Sequence, residues 1–174
     1  MTLNLKNFLN PKVKMAKMGE YQPLKPIDGL QISSVSADLY GDGRDDLSLF
    51  FFETGANFAA VYTQSTVISA SVSWNSRLRR HFVRALLVNT KNANTFTGEK
   101  GLQALKEISK TLSKALTLKA SQSPHGIQDT IKSNEILFAS TGVIGEPFPT
   151  QKIKSNISFL VKKLRVEQNK FVWF

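Results

Sequence analysis

The segment from Phe138 to Pro147, FASTGVIGEP, constrains the fold more than any other part of this 174-residue chain. An apolar run leads into two glycines, Gly142 and Gly145, and an amphipathic segment follows. This order is typical of a strand, a tight glycine turn and a helix. Such a turn points backbone N–H groups and a hydroxyl at one place, which suits an anion or a carbonyl oxygen that becomes one. Glycine turns after strands are also common as plain structure, so turn chemistry alone leaves both interpretations open.

A second segment of the same kind lies upstream, at residues 85–98, ALLVNTKNANTFTG. Its apolar run ends in a polar turn that contains Asn89, Asn92 and Asn94, and a helical pattern follows. Asparagines are typical of turns, where they hydrogen-bond their own backbone. A role for Asn92 and Asn94 in binding is the alternative, and the sequence leaves it open.

Together the two segments resemble the glutamate N-acetyltransferase, or ornithine acetyltransferase, family of arginine biosynthesis. That family carries VNSGNAN-x-x-TG and, further along, STGVIGEP. The resemblance covers residues 28–174, and Asp46-Leu47 and the stretch at 59–63 also fall where the family has strand motifs. One departure is Thr90-Lys91, where the family has Ser-Gly. Because glycine adopts positive φ freely and lysine does not, we expect the turn before Asn92 to differ.

The periodicity of the chain predicts strands first and helices later, which favours an α/β (α+β) layered domain with a mixed sheet. The resemblance implies the same fold, with mixed β-sheets sandwiched by helices. A loosely ordered basic arm is expected at 1–27 and one domain at 28–174. Strands are predicted at Leu30–Ser36, Asp46–Glu53, Asn57–Gln64, Val67–Trp74, His81–Val88 and Glu135–Ser140, and helices at Glu99–Leu118 and after Pro147 and Pro149.

Two details sharpen these predictions. The strand at Asp46–Glu53 is apolar on both faces toward its end, which predicts a central position in the sheet. The first helix should begin at Thr97 as its N-cap. The helices should bury stripes of apolar residues spaced three to four apart: Leu102, Leu105, Ile108, Leu112 and Leu116 in the first, and Ile153, Ile157, Leu160 and Leu164 in the second.

The net charge of +10 favours either an anionic partner or a solvated basic surface. Aromatic residues do not interleave with the basic ones, so we favour the solvated surface over a nucleic-acid site. The chain has no cysteine, which excludes disulfides and thiolate chemistry. It has no apolar run of the roughly 20 residues that a membrane span needs, so we expect a cytoplasmic protein without a membrane partner.

The resemblance implies acyl transfer by a ping-pong mechanism, from N-acetylornithine to glutamate, with acetyl-CoA as a donor left open. It implies no cofactor. A threonine at the start of a second chain, released by self-cleavage of a precursor, would carry the acetyl group. Its own α-amine can act as the base that a hydroxyl nucleophile needs. The resemblance assigns Thr141, through its hydroxyl, and Gly142, through its N–H, to the oxyanion hole.

The nucleophile segment of the family does not occur in this sequence. We therefore expect an N-terminal piece of the enzyme, either a shortened α chain or a fragment. It should be inactive alone and work with a β chain in an α2β2-type assembly. Thr2 would become N-terminal if Met1 were removed, but nothing around it resembles the nucleophile segment. Two alternatives keep other functions open: an N-terminal-nucleophile aminopeptidase, which the unbroken STGVIGEP argues against, and a non-catalytic basic binding module.

Metal sites have little support in the sequence. The acidic run from Asp38 to Asp46 has the outline of a calcium loop, but Tyr40 and Leu49 occupy positions where the loop needs oxygen ligands. His81 and His125 lie far apart and match neither a zinc site nor a serine triad. We expect no metal.

Overall fold

The computed structural model describes residues 26–78, 81–122 and 130–165. The predicted arm therefore lies, up to residue 25, outside the described residues, as do Thr2 and His125. A short 3₁₀ turn at Ser133–Glu135 precedes the last strand. The elements in chain order are β1 (Leu30–Val35), β2 (Leu47–Asn57), α1 (Ala70–Ser76), β3 (Phe82–Asn89), α2 (Gly98–Ser121), β4 (Ile136–Ser140) and α3 (Thr150–Lys162).

The four strands form one mixed sheet in the order β1-β2-β3-β4. The pairs β1–β2 and β2–β3 are antiparallel, and β3–β4 is parallel. A parallel pair needs a long crossover connection, and the 24-residue helix α2 lies within it. The predicted mixed α/β class is confirmed, and β2 has the central position that its apolar residues predicted.

Helices α2 and α3 pack against each other and cover one face of the sheet. Each buries most of the apolar stripe that its spacing predicted, which confirms both helices. Leu102 is only half-buried, and Leu164 is buried but lies beyond the end of α3. No helix in the described ranges combines the length and the apolar character that crossing a membrane requires. The helix residues that are almost fully buried are Leu105, Ile108, Leu112, Leu116, Ile153, Ile157 and Leu160.

The strand predicted at Val67–Trp74 is wrong, because the chain forms α1 there. The hydroxyl of Ser69 caps the helix by accepting a 3.2 Å hydrogen bond from the N–H of Val72. The helix lies along β4, at the edge of the sheet, where strand groups lack a further strand. Side chains of α1 supply the missing partners. Trp74 Nε1 donates to the carbonyl of Ile136 at 2.9 Å.

The strand predicted at Asn57–Gln64 is also wrong. β2 continues to Asn57 through a bulge between Phe51 and Ala56. It therefore includes only the first residue of the predicted strand. Residues 58–68 contain no helix or strand, and Val61 is 99% exposed. No strand in the described part of the chain pairs with residues 58–68.

The second face of the sheet is also apolar. Strand pairing places Phe50, Leu86 and Leu137 in one row across β2, β3 and β4. Because side chains alternate along a strand, Phe52 and Val88 share that face. The described residues leave all five half-buried, whereas the first face has a closed core under α2 and α3.

Candidate active site

The two polar turns leave the sheet side by side. β3 and β4 are parallel, and their last residues, Asn89 and Ser140, are direct partners. The segments that follow them therefore start at the same edge of the sheet. The carboxyl ends of parallel strands are where open α/β sheets commonly bind ligands. The structure thus brings together the two segments that the sequence singled out.

Three backbone hydrogen bonds join the two turns. The N–H of Val143 donates to the carbonyl of Lys91 at 2.8 Å, and the N–H of Ala93 donates to the carbonyl of Val143 at 3.0 Å. The N–H of Gly145 donates to the carbonyl of Thr95 at 2.9 Å. The turns therefore form one backbone unit.

Gly142 lies where the turns approach most closely. Its φ is +128°, in a region that favours glycine. A Cβ atom at this position would lie 2.2 Å from the carbonyl carbon of Lys91 and 2.7 Å from the nitrogen of Asn92. Both contacts are far inside van der Waals distance, and both are with backbone. Only glycine fits here without moving the turns apart.

Two hydrogen-bond donors at this place have no acceptor among the described residues. The N–H groups on either side of Gly142 are used: that of Thr141 donates to the carbonyl of Asn89 at 3.1 Å, and that of Val143 to Lys91. The N–H of Gly142 and the hydroxyl of Thr141 make no hydrogen bond within the described ranges, and both residues are exposed. Both groups are therefore free to donate a hydrogen bond to an acceptor outside the described residues.

The asparagines make the internal contacts of a structural turn, and a role for them in binding stays open. Asn92 Oδ1 accepts from the N–H of Asn94 at 2.9 Å, which is the local turn bond expected of asparagine. Asn92 Nδ2 also reaches across to the second turn. Asn94 has a structural role at the start of α2, where its side chain accepts from the hydroxyl of Thr97 at 2.8 Å. Thr97 precedes α2 as predicted, but its hydroxyl does not cap the helix.

Lys91 does not prevent the positive φ that a glycine would adopt at this position. Lys91 adopts φ +73°, the left-handed region that glycine would favour. Asn94 and Phe96 also have positive φ, at +49° and +58°. Residues held in this region cost roughly 1–3 kcal/mol each and concentrate at functional sites. The packed turns around them hold this strain in the structure.

Ser140 and Ser71 lie beside the turns, and the sequence assigned no role to either. The hydroxyl of Ser140 donates to Asn89 Oδ1 at 2.7 Å and lies 2.9 Å from the hydroxyl of Ser71 on α1. These contacts connect β3, β4 and α1 directly beside Thr141. Serine and asparagine at adjoining strand ends are the available sequence signal, but their pairing requires knowledge of the strand order.

The acidic run has internal partners. The carboxylate of Asp46 is buried and accepts from the N–H groups of Ala37 and Leu39, each at 2.7 Å. Asp42 pairs with Arg44, whose hydrogen bond lowers the pKa of the Asp42 carboxyl. No group of three acidic or histidine side chains in the described ranges is placed to hold a metal ion. The run is a turn stabilised by its own carboxylates.

A groove of about 860 Å³ lies between α1, α2 and the start of α3. Trp74, Arg77, Lys100 and Gln151 contribute to its lining. Neither Thr141 nor Gly142 lines this groove. The donors lie instead on the open end of the sheet.

The fold is shared with solved structures of arginine biosynthesis enzymes. The structure superposes on an ornithine acetyltransferase from Mycobacterium tuberculosis, solved in complex with ornithine, with a TM-score of 0.68 and 26% identity. The alignment covers 81% of this chain and 69% of that one. The chain belongs to the ArgJ family, whose sequence profile matches residues 31–172.

Curated relatives agree with this assignment. The chain is 37% identical over 133 residues to the arginine biosynthesis bifunctional protein ArgJ of Bartonella quintana, and 38% identical over 135 residues to that of Brucella melitensis. Each alignment covers 76% of this chain. It spans only 29% and 30% of the two relatives, so the chain corresponds to less than a third of their length.

Proposed function

We propose that this chain supplies the oxyanion hole of an acetyltransferase that moves an acetyl group from N-acetylornithine to glutamate. The observation that carries the proposal is the pair of unused donors, the Gly142 N–H and the Thr141 hydroxyl, at the joined ends of β3 and β4. Membership of the ArgJ family and the ornithine bound in the Mycobacterium tuberculosis relative support the substrate class.

The proposed reaction uses a threonine on a β chain. Its α-amine takes the hydroxyl proton while the oxygen attacks the acetyl carbonyl of N-acetylornithine, and the carbonyl oxygen becomes an anion. The C–N bond then breaks, and ornithine leaves with the proton on its nitrogen. The amine of glutamate then attacks the resulting ester, and the threonine oxygen leaves. The proton that the glutamate amine loses goes to the threonine oxygen and restores the hydroxyl. An oxyanion forms in each half of the cycle.

Gly142 and Thr141 would act at the two oxyanions. A hydrogen bond to an oxygen strengthens as the oxygen gains charge, so donors placed at that position stabilise the transition state more than the substrate. Donors that already have internal acceptors would first have to give them up. In the described structure the Gly142 N–H and the Thr141 hydroxyl have no internal acceptor. Donors that stabilise an oxyanion need this condition.

The partners follow from the same proposal. The β chain would provide the nucleophile, in an α2β2-type assembly, and this chain alone would be inactive. Self-cleavage of a precursor would release the nucleophile. Use of acetyl-CoA as a second donor stays open, and the cytoplasmic location stays a prediction.

The first test is an acetyl-transfer assay from N-acetylornithine to glutamate. It compares this chain alone with this chain plus the β chain of a family member, after association of the two chains has been shown. We expect activity only with the β chain. Activity of the chain alone would overturn the proposed division of labour and point to Thr2. Inactivity of an associated pair would overturn the proposed substrates.

The second test is Thr141→Ala in the active complex. Removing one oxyanion donor should lower kcat about 100- to 1,000-fold, because the lost hydrogen bond acts in the transition state. Thr111→Ala is the matched control. The hydroxyl of Thr111 bonds within α2, to the carbonyl of Glu107, and lies outside both turns. Unchanged kcat in Thr141→Ala, measured beside this control, would rule out the role.

A further inference from the structure

The turn that carries Gly142 is held at its start by a buried side chain. Asn89, only 4% exposed, accepts the 2.7 Å hydrogen bond from the hydroxyl of Ser140. Its backbone carbonyl accepts the N–H of Thr141 at 3.1 Å. Asn89 therefore contacts both residues that lead into Gly142.

A second buried side chain holds the end of the same turn. Asn92 is 2% exposed, and its Nδ2 donates to the carbonyl oxygens of Glu146 and Pro147 at 3.2 Å each. Its Oδ1 stays within its own turn and accepts from Asn94. One amide thus joins the two turns at the far side of Gly142.

The two asparagines also contact each other. Asn89 Nδ2 donates to the backbone carbonyl of Asn92 at 2.9 Å and to that of Thr90 at 3.1 Å. A buried polar network in which the members satisfy one another is rigid, and its partners cannot shift singly without leaving a buried group unpaired. The bonds from this network reach both ends of the turn around Gly142.

We infer that Asn89 and Asn92 are positioning residues that fix where the Gly142 N–H points, an inference that rests on the proposed role of that N–H. The Gly142 N–H has no internal acceptor of its own to orient it within the described ranges. Its direction is set by the residues on either side, and the two amides hold those residues. Family resemblance had left the asparagines without an assigned role.

The chemistry makes this positioning consequential. An oxyanion donor must lie about 2.7–3.1 Å from the place that the charged oxygen will occupy. A displacement of roughly 1 Å can lower the rate about 100-fold. Because the bond matters mainly in the transition state, loosening the turn should lower kcat and leave KM nearly unchanged.

The test uses Asn92→Asp and the matched control Asn75→Asp. An aspartate at position 92 can still accept from the N–H of Asn94. It cannot donate, and it places a carboxylate oxygen against the carbonyl oxygens of Glu146 and Pro147. The side chain of Asn75 also makes a pair of hydrogen bonds. Its Oδ1 accepts from the N–H of Phe138, and its Nδ2 donates to the carbonyl of Phe138. Both substitutions remove one amide donor. Asn92 donates to the turn that carries Gly142, whereas Asn75 donates to β4, before that turn.

The first readout is amide hydrogen exchange of this chain by NMR. In Asn92→Asp the N–H groups of Val143 and Gly145, which donate across the turns, should exchange about tenfold faster, the equivalent of one or two lost hydrogen bonds. In Asn75→Asp their exchange should not change. Unchanged exchange in Asn92→Asp, or equal acceleration in both variants, would overturn the inference.

The second readout is steady-state kinetics in the complex with the β chain. Asn92→Asp should lower kcat at least tenfold with KM within twofold, whereas Asn75→Asp should retain wild-type kcat. An increase in KM alone would overturn the inference, because it would assign Asn92 to substrate binding.

If Asn92→Asp fails to fold, Ser140→Ala tests the other end of the turn. It removes only the hydroxyl bonds to Asn89 and Ser71, and it should accelerate exchange of the Thr141 N–H and lower kcat. Wild-type exchange and kcat in Ser140→Ala would then overturn the inference. Failure of the proposed function is distinguishable: Thr141→Ala would leave kcat unchanged while the exchange results still showed the turn loosened.

Discussion

The backbone of Gly142 sets how closely the two turns approach, so this residue tests the site geometry directly. Gly142→Ala should force the Lys91 peptide away, because the added Cβ would lie 2.2 Å from its carbonyl carbon. Gly145→Ala is the matched control: Gly145 also has positive φ, at +84°, but a Cβ there meets nothing within 4 Å. Both variants acquire backbone strain of roughly 1–3 kcal/mol, and only Gly142→Ala adds the clash.

We therefore expect urea denaturation to give a lower free energy of unfolding for Gly142→Ala than for Gly145→Ala. In the active complex, Gly142→Ala should also lose more kcat. Equal stability of the two variants would mean that the turns are not in contact at Gly142. Such a result would contradict the paired-turn geometry independently of any assay for acetyl transfer.

At the scale of elements, one ion pair connects the two helices that cover the sheet. Lys154 on α3 lies 3.1 Å from the carboxylate of Glu107 on α2. The hydrogen bond from Lys154 lowers the pKa of Glu107 from its ordinary value of 4.5. A carboxyl whose pKa is lower in the folded state stabilises the fold above the unfolded pKa, and this contribution disappears as the pH falls through the folded pKa.

Lys154→Met should therefore lower Tm at neutral pH, and the difference from wild type should shrink as the pH falls below about 4.5 and Glu107 becomes protonated. The effect should be small, since the pair is partly exposed to solvent. Thermal unfolding followed by circular dichroism between pH 7 and pH 3 measures it. Lys163→Met is the control, because its ammonium lies over the ring of Phe159 and contacts no carboxylate in the described ranges. A difference in Tm that is independent of pH would contradict the assignment.

Helices α2 and α3 were predictable because each has an apolar stripe with helical spacing. Helix α1 was not predictable from its own sequence. Residues 67–74 alternate between serine and apolar side chains, which indicates a strand when it is taken alone. The helix forms because Ser69 caps it and because Trp74 and Asn75 then reach the edge of β4. The complete order of the sheet decides which strand lies at its edge. A local sequence pattern does not contain that order.

The candidate site shows the same limit at the scale of the whole molecule. The sequence singles out Thr141 and Gly142 because the glycine turn follows a strand and resembles a family motif, and their role as donors stays a prediction. The buried bonds from Asn92 to Glu146 and Pro147 could not be predicted, because these residues lie 54 and 55 positions from Asn92 in the sequence. They exist only because β3 and β4 are parallel neighbours. A motif therefore identifies the donors, and the topology identifies what holds them.

The second face of the sheet governs how the whole chain should behave in solution. Leu86 and Leu137 are direct partners on β3 and β4, and both are half-buried on this face. An apolar surface of this kind favours association with another apolar surface. The chain also spans less than a third of the length of the relatives that it matches. We expect the isolated chain to self-associate through this face.

Sedimentation velocity across micromolar concentrations should show oligomers of the wild-type chain that dissociate on dilution. Leu86→Lys places a charge in the middle of this face and should shift the chain to monomer, while circular dichroism checks that the sheet is retained. Leu118→Lys is the control, because Leu118 is 65% exposed on α2, away from this face, and its substitution should leave association unchanged. If the wild-type chain stays monomeric, the second face of the sheet does not mediate self-association. Dissociation by both variants alike would place the contact elsewhere, because a general increase in charge would then explain the effect.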